Sequence, residues 1–220
     1  MAEVKSSGDE VFGQLRINLP RSAVLGVVAP AIGPLLYAHP NIVLDLSVNE
    51  ALIDIVEQKF DAGIRLKASV PNNMVSIPVS GEIELFAVAS PEYLLAYGTP
   101  QVPTDLVDHK CITWRWPSGG TVFQWPFEID NKKVDIDVRG PLLAYDFDLQ
   151  IEAALQGVGL AYTYNVRIPE LLKAGRLVRV LQPWSLRMPG FHIYYPDRRY
   201  PRPPLQAFID TLVARCQSET

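Results

Sequence analysis

Apolar and polar residues alternate from Gln14 to Leu19, the period of a half-buried strand. Pro20-Arg21-Ser22 breaks the pattern, and an apolar run follows from Ala23 to Leu36. Ser22 reads as the N-cap of a helix built on that run. Pro30 and Pro34 fall inside it, and proline is comfortable only in a first helical turn, so two short helical pieces or a kink are expected. His39-Pro40-Asn41 ends the element, and Ile42–Val48 reads as a second strand. Leu52, Ile55 and Val56 stand at i, i+3 and i+4, which predicts a short helix over Glu50–Lys59. Ala62–Leu66 closes the series as a third strand. The order strand–helix–strand–helix–strand implies right-handed crossovers and a parallel sheet.

Beyond the Pro71–Asn73 loop, Val75–Val79 and Glu82–Ser90 read as strands. Ser90 caps a short helix that Pro91 opens and Tyr97 ends. Thr104–Leu106 predicts a capped turn, Cys111–Trp114 a strand, and Trp125–Ile129 with Lys133–Gly140 a hairpin through Asp130-Asn131. Asp146–Gln156 is amphipathic and stops at Gly157. Val158–Tyr164 is a strand, and Ile168–Ala174 a helix closed by Gly175. Leu177–Leu181 and Phe191–Tyr195 are strands, and Pro203–Cys216 is a closing helix. The order predicts two α/β lobes with a cleft between them. The first spans 13–88 plus 190–217 and the second 89–189, joined by two crossings. Residues 1–12 read as a linker remnant.

Composition narrows the partners. The 220 residues are 48% hydrophobic and 20% charged, enough apolar content for a sizeable core. A net charge of −4 argues against a nucleic-acid surface in this stretch. Two distant cysteines, Cys111 and Cys216, suit a reduced, cytoplasmic setting rather than a disulfide scaffold. No apolar run reaches about 18 residues, so no membrane span is expected.

The sequence carries no recognisable catalytic pattern. There is no Gly-x-Ser-x-Gly elbow and no Walker-type phosphate loop. Gly157-Val158-Gly159 stands at a helix exit, not at a strand-to-helix turn. His39, His109 and His192 have no metal-pair spacing. Neither an enzyme, a cofactor nor a metal is expected. What remains is a set of strand ends that meet helix starts: Pro20-Arg21-Ser22, Asn49-Glu50 and Tyr145–Asp148. In open α/β sheets ligands bind outside the carboxyl ends of strands, where helix N-termini favour anions. Ser22 offers a hydroxyl or only a cap. Arg65 offers a bidentate clamp or pairs locally with Asp61 or Glu57. Trp114, Arg115 and Trp116 offer an aromatic wall beside a glycine loop, though Trp114 and Trp116 face opposite ways if extended.

Several segments resemble, in register, the effector-binding domain of LysR-type transcriptional regulators. They are Gly13–Ser22, Ala38–Leu46, Phe60–Leu66, Ala153–Ala161, Leu171–Leu181 and Tyr194–Arg199. The resemblance spans about residues 11–216. It implies a two-lobed type 2 periplasmic-binding-protein fold with two crossover strands, an effector between the lobes, and a homodimer that becomes a tetramer in the intact regulator. It places effector contacts at Pro20, Arg21, Ser22, Asn49 and Arg65 in the first lobe. In the second it places them at Thr113, Trp114, Trp116, Tyr145, Phe147, Asp148 and Tyr162. The effector is a small molecule, with anions one class. The family's N-terminal winged helix-turn-helix has no counterpart in the 220 residues, so DNA contact is expected only through that missing domain. The competing expectation is a solute-binding protein of a transport system, which calls for a secretory signal.

Overall fold

The computed structural model describes residues 11–115, 120–164, 168–196 and 200–218. The alternation that predicts the first strand is realised as β1 (Phe12–Leu19), in which Leu15, Ile17 and Leu19 are fully buried. Each such side chain contributes about 1.5–3 kcal/mol when removed from water, and a one-residue slip would expose all three. That fixes the register with β2 (Asn41–Val48), which runs parallel from Phe12 opposite Asn41 to Leu19 opposite Val48. β3 (Ala62–Leu66) lies parallel on the other side of β1. β12 (Phe191–Pro196) and β4 (Met74–Pro78) complete a five-stranded sheet in the order β2-β1-β3-β12-β4, with β12 antiparallel to both neighbours. A last helix, α6 (Pro203–Ser218), packs Phe208, Ile209 and Leu212 inward and touches β1.

Between β1 and β2 the chain stays helical from Arg21 to Ala38. It begins as one α-turn, α1 (Arg21–Ala23), passes through a π-turn at Val24–Val28, and continues as α2 (Ala29–Ala38). The expected interruption is therefore a π-turn, a common way of absorbing a break in the hydrogen-bond ladder. Pro30 falls in the first turn of α2, and Pro34 lies inside it. Ser22 is not the N-cap. Pro20 takes that place with extended backbone (φ −78°, ψ 154°), and Ala23 N–H donates to its carbonyl. The expectation that no apolar stretch reaches spanning length needs correcting. Arg21–Ala38 is 18 residues long with mean hydropathy 1.4, long and apolar enough to cross a membrane by those two measures alone. A core helix passes the same test, and this one buries Ala23, Val27, Val28, Ala31 and Leu35 and packs on α6.

The helix expected over Glu50–Lys59 does not form. Asp54 Oδ1 accepts from Val56 N–H at 2.8 Å and from Glu57 N–H at 3.1 Å, a local alternative to a helical ladder. Phe60 N–H closes the turn on the Ile55 carbonyl, with Lys59 left-handed at φ 59°. Of the three apolar residues that suggested the helix, only Ile55 is buried.

The chain divides into two units, Met1–Glu82 with Pro189–Thr220, and Ile83–Met188. The boundary falls six residues before the expected one. β5 (Ile83–Ala89) is the central strand of the second sheet, not the last of the first. It pairs antiparallel with β9 (Leu160–Tyr164), β10 (Val178–Val180) and β11 (Leu186–Met188). β6 (Cys111–Ile112) joins parallel to β9, giving β10-β5-β9-β6. β7 (Trp125–Ile129) and β8 (Lys132–Ile136) form the expected hairpin. Asp130 and Asn131 take positive φ of 51° and 57°, the pairing a two-residue hairpin turn requires. α3 (Pro91–Tyr97) is capped by Ser90, which accepts from Tyr93 N–H. α4 (Phe147–Leu155) packs Ile151 and Ala154 onto Phe86, Ile112 and Ala161, and α5 (Pro169–Lys173) follows β9.

Candidate functional site

In the first unit the strands β1, β2 and β3 end together, and Arg65 braces the turn that leaves β2. The side chain is only 3% exposed. Its Nη1 donates to the Ile64 carbonyl at 2.8 Å. Its Nη2 lies 2.6 Å from Asn18 Oδ1, 3.0 Å from the Asn49 carbonyl and 2.9 Å from the Ala51 carbonyl. Asn18, fully buried on β1, in turn donates to the Ser47 carbonyl of β2. Asn49 N–H reaches back to the Leu19 carbonyl, and Asn49 Oδ1 accepts from Ala51 N–H. Burial pulls the guanidinium below its ordinary pKa, opposed by Tyr194 and Glu50. It stays charged, because an arginine starts so high. Burial also raises the Tyr194 phenol, which Arg65 partly offsets. The Tyr194 ring crosses β3 at Gly63, where a Cβ would come within 2.5 Å of it.

Arg65 is therefore a strut for the 49–51 turn rather than an exposed clamp. It pairs with neither Asp61 nor Glu57: Asp61 holds Arg16 N–H and Arg202 instead. Pro20 is buried, Arg21 exposed and Ser22 8% exposed. The Ser22 hydroxyl has no hydrogen-bond partner among the described residues. Arg21 N–H at the helix start donates to Glu50 Oε1 at 2.9 Å. A carboxylate of the chain itself thus takes a place that an incoming anion could use. Asn18 was not singled out from sequence, and Glu50 was named only as part of the Asn49-Glu50 strand end. A polar residue on β1 with both neighbours fully buried was the available signal for Asn18.

In the second unit Thr113 is fully buried, and its hydroxyl donates to the Phe123 carbonyl at 3.0 Å. Trp114 is 7% exposed. It stacks on Phe123 at 3.8 Å between centroids and meets Phe147 edge-on at 5.2 Å. Trp114 thus faces the core, and Trp116 lies outside the described residues. Asp146 caps α4 by accepting from Leu149 N–H at 2.8 Å. That leaves Phe147 half-buried and Tyr145 and Asp148 exposed. Tyr162 is 2% exposed, stacks on Trp125 and donates its hydroxyl to the Pro126 carbonyl. Burial raises its phenol further out of reach of titration.

The next residue on β9 is different. Thr163 faces the same side as Ala161, toward α4, by the period of two along a strand. Its Oγ1 is buried without a partner, as is Oε1 of Gln150 on α4, whose amide donates to the Ala144 carbonyl. Trp125 Nε1 and Arg179 Nε are likewise buried without a partner in this unit, so Thr163 and Gln150 hold its spare acceptor oxygens among the described residues. Among the described residues no three of His, Cys, Asp and Glu gather as a metal site.

Residues 8–217 match the family described as the LysR substrate binding domain. The chain is 39% identical over 209 residues to the HTH-type transcriptional regulator YcaN of Escherichia coli, covering 94% of this chain and 68% of that protein. It is 32% identical over 212 residues to the HTH-type transcriptional regulator PgrR of the same organism, covering 96% and 71%. Among solved structures it is similar to the regulatory domain of AphB from Vibrio vulnificus, with TM-score 0.74, 25% identity and coverage of 92% and 98%. It also shares the fold of CrgA from Neisseria meningitidis, with TM-score 0.80, 22% identity and coverage of 93% and 69%.

Proposed function

The chain belongs to the LysR substrate binding domain family, and from that premise we propose that its carboxyl-edge groups select a small polar effector. Its relatives are transcriptional regulators, not a class of enzyme, and its fold is the two-lobed type 2 periplasmic-binding-protein type. The observation that carries the proposal is Ser22, a buried residue whose hydroxyl has no hydrogen-bond partner among the described residues, beside a turn that Arg65 holds through two backbone carbonyls. Such a group is pre-placed to hydrogen-bond a ligand at no cost in reorganisation. In the second unit Thr163 and Gln150 supply further acceptor and donor capacity. Arg65 acts indirectly, by fixing the turn. Small carboxylates are the first class to test, with Glu50 as their internal competitor.

Effector binding controls DNA occupancy only if the ligand prefers one arrangement of the regulator over another. We place the protein in the cytoplasm, as a homodimer that assembles into tetramers with its DNA-binding part. Large exposed apolar residues support self-association: Leu25, Tyr37 and Val43 in the first unit, Leu95 and Val107 in the second.

The test is a thermal-shift screen of small carboxylates and neutral polar metabolites. A ligand at a hundredfold its Kd stabilises by about 2.7 kcal/mol, a shift of several degrees. Ser22→Ala is expected to abolish the shift while leaving the unliganded melting temperature within a degree or so. A ligand shift that survives both Ser22→Ala and Thr163→Val would reject the assignment.

A further inference from the structure

The first unit contains a cavity of about 650 Å³ at the amino end of β3, the opposite end from Arg65. Asp61, which lines it, is four residues before Arg65, or ~13 Å along an extended strand. Phe60, Tyr195, Pro196 and Leu205 form apolar walls, and Lys59, Asp61 and Arg202 are the charged members. The volume falls in the range of small-molecule sites.

Among the described residues that line it, the charges are not balanced. Arg202 Nη2 lies 2.5 Å from Asp61 Oδ1 and 3.4 Å from the Gln14 carbonyl. Asp61 Oδ2 already accepts from Arg16 N–H at 2.9 Å. The acid is thus committed twice, and it neutralises one of the two cations. Lys59 has no ion pair or hydrogen bond to its ammonium among the described residues. Its backbone, however, is held in place. Lys59 N–H donates to the Val56 carbonyl at 3.1 Å, and Arg16 Nη1 donates to the Lys59 carbonyl at 3.3 Å. The residue keeps a left-handed φ of 59°, a conformation a lysine adopts only when its surroundings impose it. Arg16 in turn lies over the Phe60 ring, 4.9 Å from its centroid. A lysine with a fixed backbone and an ammonium that no described residue neutralises therefore stands at the rim of an aromatic pocket.

We propose that this cavity is a second ligand site, separate from the carboxyl edge, that takes a planar aromatic carboxylate. The ring packs against Phe60 and Tyr195, and the carboxylate is held by Lys59 with Arg202 as its second partner. The excess positive charge selects against amines, and the apolar walls select against small inorganic anions. Because Arg202 also reaches the Gln14 carbonyl, occupancy acts on the first residues of β1.

Isothermal titration of the full chain with 2-naphthoate, 2-naphthol and 2-naphthylmethylamine tests this. The expected result is one site for naphthoate, at least tenfold tighter than for the alcohol or the amine and weakened by added salt. Lys59→Met removes the cation, and Val56→Trp fills the mouth from an exposed position. Each is expected to weaken naphthoate at least tenfold without lowering the melting temperature. Ser22→Ala is expected to leave naphthoate binding unchanged, which separates this site from the carboxyl edge. The proposal is overturned by absent naphthoate binding at low millimolar concentration. Unaltered affinity in both cavity variants, or loss of binding in Ser22→Ala, overturns it equally.

Discussion

At the carboxyl edge of the first unit, Arg65 is buried and surrounded by acceptors: the Asn18 amide and the carbonyls of Ile64, Asn49 and Ala51. In the second unit Thr163 and Gln150 are just as deeply buried, yet Thr163 Oγ1 and Gln150 Oε1 have no partner. Arg65 keeps one buried atom without a partner, its Nε, but both of its terminal nitrogens are engaged, whereas each neutral group has an oxygen to spare. A buried unsatisfied polar atom costs about 1–3 kcal/mol, which a bound ligand or water can return. Charge in a strand end is therefore a poor guide to ligand contact until its acceptors have been counted.

Four measurements probe that contrast. The largest effect is expected for Arg65→Ala, which strands several buried acceptors together and should lower stability by about 3–5 kcal/mol in urea unfolding. Arg65→Lys should recover only part of this, since an ammonium cannot span acceptors set out for a planar fork. If Arg65→Ala were as stable as the parent and lost only ligand binding, the strut would have to be read again as a clamp. Gly63→Ala comes next. Its Cβ would press into the Tyr194 ring beside Arg65, for a loss of about 1–3 kcal/mol by the same assay.

The third measurement is a pH series across the second unit's Cys111. Burial pushes that thiol up to about 12. The folded state thus favours the protonated form more than the unfolded chain does. This stabilisation is complete below the ordinary thiol pKa near ~8.5 and is lost as the pH rises toward 12, by up to about 1.4 kcal/mol per pH unit. Cys111→Ala should flatten that limb, and native Cys111 should resist thiol reagents at pH 8 until unfolding. The smallest effect is expected for Thr163→Val. It replaces an unpartnered hydroxyl with a methyl and should raise unliganded stability by about 1 kcal/mol. A loss of 2 kcal/mol or more would mean the hydroxyl is satisfied after all, and the contrast between the units would collapse.

Strand positions were legible wherever the hydrophobic pattern was regular. β1, β2, β3, the β7–β8 hairpin and α6 fall where alternation or a helical stripe puts them. The turn at 50–59 was not legible, because Asp54 offers the backbone a local partner that apolar spacing does not reveal. β5 was assigned to the wrong unit because an apolar run shows that a strand is buried but not which strands flank it. β11 is three residues long and carries too little pattern to detect. For the site, sequence reading named strand ends, and the fold decides which side chains there are already engaged. Period-two alternation shows that Tyr162 and Thr163 face opposite ways, but not that the hairpin covers the tyrosine. Arg65 was found, but three of its four acceptors lie 14, 16 and 47 residues away and appear only once the chain has folded.

The π-turn at Val24–Val28 has a geometric consequence. Ala23, Val27, Ala31 and Leu35 are all buried and recur every fourth residue. In an unbroken α-helix each residue rotates ~100°, so a step of four overshoots a full circle by ~40°, and three steps by ~120°. Those side chains would then wind a third of the way around the axis and leave the face that meets α6. The wider i→i+5 turn takes up most of the surplus and keeps the four in phase along one line. Deleting Gly26, inside that turn, would shorten the first step to three, so that a regular α-helix turning ~1100° over eleven residues would bring Leu35 back to within ~20° of Ala23 and the π-turn would no longer be needed.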